Sequence, residues 1–131
     1  MNRAIIGSSG YIAKFLIDRL EKEPYVQKIL KIDQNVQADV HLNLQEYEKF
    51  NYEILNDIDY VIFTAAISSP DKCAIDFEFC WNINVIGTKY FIYKAIKKNC
   101  NVLFFSSDAV FGDIPGQIYN EESETKAKTP Y

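Results

Sequence analysis

The stretch Gly7-Ser8-Ser9-Gly10-Tyr11-Ile12-Ala13 constrains this chain more than any other. A short apolar run, Ala4-Ile5-Ile6, precedes it, and apolar residues then recur at helical spacing: Tyr11, Ile12, Phe15, Leu16 and Leu20. The order is strand, tight turn, helix. Gly7 permits a sharp turn, and Gly10 lacks the Cβ that would hold a pyrophosphate away from the backbone amides and positive dipole of the helix N-terminus. Ser9 lies in that turn, and Tyr11 and Ile12 open the helix. Ala13 replaces a third glycine where helix and strand pack closely. The same pattern also serves an ordinary βα turn, so the glycines alone leave two readings open.

Asp33 favours the nucleotide. It ends a second apolar-rich strand, Lys28-Ile29-Leu30-Lys31-Ile32, and lies 23 residues beyond Gly10, near the spacing of about 20 at which an acid meets an adenosine ribose. A carboxylate there accepts hydrogen bonds from the ribose hydroxyls and repels a 2′-phosphate. The expected cofactor is therefore NAD rather than NADP. The alternative is a strand-end acid that only caps its turn, followed by Gln34-Asn35.

At 131 residues and 48% hydrophobic content the chain suits one globular domain with a real core, and two full domains would not fit. A net charge of −4 argues against nucleic acid or an anionic membrane as the main partner. Cys73, Cys80 and Cys100 show no metal-ligand spacing, so no metal is expected, and buried reduced thiols in a cytoplasmic protein are the reading they suggest. No run approaches membrane-spanning length.

Taken in order, the first helix should end near Glu23-Pro24. Val40, Leu42 and Leu44 alternate with polar residues as a short strand, with His41 on the polar side, and a weak helix follows through Tyr52. The run from Ile58 to Thr64 is a strand running into Ala65-Ala66, small residues that either let a ligand lie against the strand end or fill a tight core. Ser68-Ser69-Pro70-Asp71 opens a long helix with Ala74, Phe77, Cys80, Asn84, Gly87, Phe91 and Ala95 on one face. Asn101 to Ser106 is a fifth strand, and from Gly112 the chain turns polar and aperiodic. Alternating strands and helices imply an α/β fold with a doubly wound parallel sheet, whose strand C-termini meet along one edge.

These residues together resemble the extended short-chain dehydrogenases/reductases, the NAD-dependent epimerase/dehydratase group that acts largely on nucleotide sugars. The matching motifs are Gly7-x-x-Gly10-x-x-Ala13, Asp33, Asp39-Val40, Thr64-Ala65-Ala66, Asn84-x-x-Gly87-Thr88 and Ser106-Ser107-Asp108-Ala109-Val110-Phe111-Gly112. The resemblance implies a Rossmann-type NAD-binding domain over residues 1–112, truncated after about five strands, and a polar segment, 113–131, leading to a catalytic tyrosine. It implies cofactor contacts from Gly7, Ser9, Gly10, Tyr11 and Ile12, from Asp33, Gln34 and Asn35, and from Asp39 and Val40 at the adenine. Thr64, Ala65, Ala66 and Asn84 complete that set.

The resemblance also implies that the Ser107 hydroxyl holds the reacting oxygen while Tyr131, 24 residues later, exchanges the proton as hydride passes to or from nicotinamide. A phenol with a pKa near 10 needs a nearby cation to act as a base, and the family places a lysine four residues on. The sequence ends at Tyr131, so the chain as given is expected to be inactive. Family 4,6-dehydratases carry Asp-Glu after the hydroxyl residue, whereas here Ala109 follows Asp108. An epimerase or sugar reductase is the closer match. A non-catalytic NAD-binding or interaction module is the competing reading, and an incomplete sheet would leave an apolar edge through which two copies can pair as a homodimer.

Overall fold

The computed structural model describes residues 1–112 and 114–128. Five strands, β1 (Asn2–Ile6), β2 (Lys28–Asp33), β3 (Val40–His41), β4 (Tyr60–Phe63) and β5 (Asn101–Phe104), form one parallel sheet in the order β3-β2-β1-β4-β5. The chain walks outward from β1 to β3, then crosses back to β4 on the other side of β1. That reversal places a crevice beyond the C-terminal ends of β1 and β4, where open α/β sheets take their ligands.

The central strands are apolar without alternation because both of their faces are covered. Ala4, Ile6, Val61 and Phe63 belong to a core that includes Phe91 and Ala95 of helix α4 (Thr88–Lys97). Ile5 and Ile62 face the other way, onto Ala13, Ile17 and Leu20 of helix α1 (Tyr11–Leu20). Around Phe91 the rings of Phe50, Tyr52 and Phe63 lie 5.6, 5.5 and 5.6 Å away, tilted contacts each contributing about 0.5–1.5 kcal/mol beyond the area they bury. β5 differs: Leu103 and Phe104, on opposite faces, are 52% and 50% exposed, so a strand composed for two covered faces stands at the sheet's edge.

Three expectations are refined. The alternating stretch around Leu42 gives a strand of only two residues, and the helix through Tyr52 is instead two 3-10 turns, Leu44–Lys49 and Tyr52–Leu55, capped by Asn43 and Asn51. The long helix after Pro70 is divided into α2 (Pro70–Ile75), α3 (Phe77–Trp81), a π-helical turn (Asn82–Gly87) and α4. The first break is local: Asp76 leaves helical geometry at φ −129° and ψ 78°, and its carboxylate accepts the Phe79 N–H at 3.0 Å. A residue that caps the next helix cannot continue the previous one. Helix α1 ends at Leu20, a few residues before Pro24.

Cys73, Cys80 and Cys100 are free and buried, and His41 is exposed. Burial, and then the neighbouring Cys73, pushes the Cys80 thiol up to about 11; burial also raises Cys100. The native state thus keeps thiol protons that an unfolded chain releases near its ordinary value of 9.0. Stability should be level below that value and fall as the pH rises through it, because the unfolded state then binds fewer protons. Iodoacetamide at pH 8 should modify the three buried thiols only through opening of the fold, far more slowly than a free thiol. Labelling of the native protein as fast as a free thiol would contradict this.

Candidate functional site

Gly7 leaves β1 with φ +84°, a conformation that suits glycine, and an added Cβ would lie 2.7 Å from both N and Cα of Ala65. The turn is pinned by Gly7 N–H to the Ile32 carbonyl and by Gly10 N–H to the Gly7 carbonyl, each at 2.9 Å. Gly10 is the N-cap of α1 and offers no side chain to it. The N–H groups of Tyr11, Ile12 and Ala13 therefore begin the helix with no intrahelical acceptor. Both large side chains point to solvent, Tyr11 80% and Ile12 53% exposed, so what these residues bring to the site is backbone.

Asp33 stands beside this turn. One carboxylate oxygen accepts the Ser9 N–H and the other the Asn35 N–H, both at 2.9 Å. The charge is thus aimed by two backbone donors, with lone pairs left for a ligand. On the far side, Thr64 donates its hydroxyl to the Ile6 carbonyl at 2.8 Å, which ties the end of β4 to the end of β1.

A cleft of about 570 Å³ opens between these elements, lined by Gly7, Ser9, Gly10, Asp33, Gln34 and Asn35 on one side and by Thr64, Ala65, Ala66 and Ile67 on the other. Leu42, Asn43 and Leu44 form one end, and Lys72, Phe79 and Ile83 complete the wall. Parallel pairing alone gathers Gly7, Asp33 and Thr64, which follow or end β1, β2 and β4. The residues fit a dinucleotide: a turn without Cβ atoms at its two ends, unsatisfied helix amides for a pyrophosphate, an oriented acid for a ribose, and small or aliphatic walls for a base.

The structure does not bring Asp39 and Val40 into this cleft. Asp39 precedes β3, at its N-terminal end, and accepts the Lys31 N–H at 2.8 Å; it lines a separate hollow with Glu21 and Lys31. Val40 pairs with Ile32 and packs on the core. The strand's exit belongs instead to Leu42 and Asn43, whose Oδ1 accepts the Gln45 N–H at 3.0 Å. An asparagine three residues before Glu46 is a helix-start pattern, a signal in the sequence that would have ended the strand there.

Asn84 lies outside the cleft lining and meets the loop after β4. Its Oδ1 accepts the Ile67 N–H at 2.8 Å and its Nδ2 donates to the Ile67 carbonyl at 3.1 Å. Ser107 lies outside the cleft lining; its Oγ accepts the Ala109 N–H at 3.2 Å and caps the 3-10 turn Asp108–Phe111. Tyr131 lies outside the described residues. Among those described, no group of His, Cys, Asp and Glu could hold a metal, and no helix is long and apolar enough to cross a membrane.

Comparison with solved structures places this geometry. The UDP-N-acetylglucosamine 4-epimerase of Methanobrevibacter ruminantium superposes with a TM-score of 0.84 at 21% identity, over 99% of this chain and 45% of its own. The UDP-glucose-4-epimerase of Stenotrophomonas maltophila, solved with bound NAD, gives 0.83 at 19%, over 100% and 44%. A hypothetical dTDP-4-dehydrorhamnose reductase from Sulfolobus tokodaii gives 0.80 at 23%, over 100% and 48%. The chain thus spans under half the length of these proteins, and at such identities the likeness is one of fold. No curated protein matches it. A family model does, over residues 4–131, and by that match the chain belongs to the NAD dependent epimerase/dehydratase family.

Proposed function

We propose that this chain binds NAD(H) across the C-terminal edge of its sheet and forms the cofactor-binding part of a nucleotide-sugar epimerase or reductase. The observation that carries the reading is the Asp33 carboxylate, held by the Ser9 and Asn35 N–H groups directly beside the Gly7–Gly10 turn. Asp33, with Gln34 and Asn35, takes the adenosine ribose and rejects a 2′-phosphate by charge. The amides opening α1 receive the pyrophosphate. Leu42, Asn43 and Leu44, with Ala65, Ala66 and Ile67, line the space left for adenine. When bound, the cofactor supplies a hydride acceptor or donor.

In the active protein Ser107 donates to the reacting sugar oxygen, and Tyr131 exchanges its proton. Residues 1–112 form the domain, and 113–131 carry the catalytic tyrosine toward it. The exposed Leu103, Phe104 and Phe105 at the edge strand support association of two copies; light scattering that gives a monomer at all concentrations refutes that part. Calorimetric titration with NAD and NADP tests the rest. Saturable NAD binding with a clear preference over NADP is expected, and no heat of binding for NAD overturns the assignment.

A further inference from the structure

One short segment touches both loops that form the end of the cleft near Leu44. Asn82–Gly87 is a single π-helical turn, closed by Thr88, whose N–H and hydroxyl both reach the Ile83 carbonyl, the hydroxyl at 3.0 Å. π turns are uncommon and gather at functional sites. From this turn Asn84 binds the N–H and the carbonyl of Ile67 together, as a paired strand would. Three residues on, Gly87 meets the opposite loop, where an added Cβ would overlap the Leu44 carbonyl oxygen and lie 3.2 Å from its carbon. Ile67, Leu44 and Ile83 all line the cleft.

The sheet ladder cannot set the distance between these loops. β3 and β4 are not neighbours, because β2 and β1 lie between them, and the loops continue past the last ladder hydrogen bonds. We infer that the π turn Asn82–Gly87 fixes the separation of the Leu42–Leu44 and Ala65–Ile67 loops, with Asn84 and Gly87 as positioning residues for the adenosine end of the cleft. Asn84 acts through Ile67, because it lies outside the cleft lining while its amide holds the peptide groups of a residue that lines it. Gly87 acts by allowing the backbone of the π turn to rest directly on Leu44. The inference rests on the reading of the cleft as an NAD site.

Asn84→Ala, Asn84→Asp and Gly87→Ala test it, with amide hydrogen exchange on the ligand-free protein and calorimetry with NAD and with AMP. In Asn84→Ala the Ile67 amide should exchange at least about tenfold faster, and the Kd for AMP and for NAD should rise by a common factor of about ten, because both ligands use the adenosine end. Asn84→Asp keeps the acceptor for the Ile67 N–H and should retain most of its protection. Gly87→Ala should speed exchange at Gln45 and weaken both ligands, and if that variant does not fold the two Asn84 variants still decide. A merely structural asparagine would lower the unfolding midpoint and leave both Kd values of the folded variant unchanged; that result, or unchanged exchange at Ile67, overturns the inference. If the parent protein binds neither NAD nor AMP the cofactor assignment fails, and exchange at Ile67 and Gln45 alone decides whether the turn holds the loops.

Discussion

Gly7→Ala is expected to cost about 3 kcal/mol or more of folding stability, from two sources that act at one atom. The backbone sits at φ +84°, where an L-residue loses about 1–2 kcal/mol. The new Cβ would also stand 2.7 Å from N and Cα of Ala65; main-chain atoms cannot rotate aside, so β4 or the turn must move, an overpacking cost of about 1–3 kcal/mol. Gly116 separates the two effects. It has φ +80° and nothing within 4 Å of an added Cβ, so Gly116→Ala carries the conformational cost alone. Thermal unfolding should show a midpoint lowered by on the order of 10 °C for Gly7→Ala and by far less for Gly116→Ala. Equal midpoints would mean that the contact with Ala65 is not the constraint described. Because Gly7 and Ala65 both line the cleft, NAD affinity should fall with stability.

Asp33→Ala should raise the Kd for NAD by about 10- to 100-fold, the loss of one or two hydrogen bonds to a charged group. NADP is the internal control, since it differs from NAD only by the 2′-phosphate that the carboxylate repels. Its affinity should hold or improve, so the preference for NAD shrinks. The variant also leaves the Ser9 and Asn35 N–H groups without their acceptor, so stability should fall by about 1–3 kcal/mol as well. The ratio of the two affinities is insensitive to that loss when measured on folded protein. An unchanged ratio would remove Asp33 from the site.

How much of this was legible in the sequence follows from how each part is held. β1, β2, β4 and β5 fall within a few residues of the apolar runs that announce them. Gly7, Gly10, Asp33 and Thr64–Ala66 converge because parallel strands carry their C-terminal ends to one edge. The adenine contact of Asp39 and Val40 was implied by the resemblance alone, and the structure puts Leu42, Asn43 and Leu44 at the cleft instead: alternation suggested a strand through Leu44, whereas Asn43 caps a 3-10 turn and leaves β3 two residues long. Spacing put Asn84 on one face of a long helix, but nothing in its neighbours showed that the helix would break at Asp76 and widen to a π turn.

The sequence by itself determined the layers, the glycine turn and the acid beside it, because hydrophobic runs, glycine's missing Cβ and strand-end position are local properties. Only the tertiary structure decided which residues close the cleft. Lys72, Phe79, Ile83 and Asn43 come to it from segments far apart in the chain, and whether an asparagine faces a ligand or a neighbouring loop depends on which backbone groups lack partners at that spot. Asn84 found them at Ile67, and buried or half-buried peptide groups take such an acceptor and donor before any ligand does.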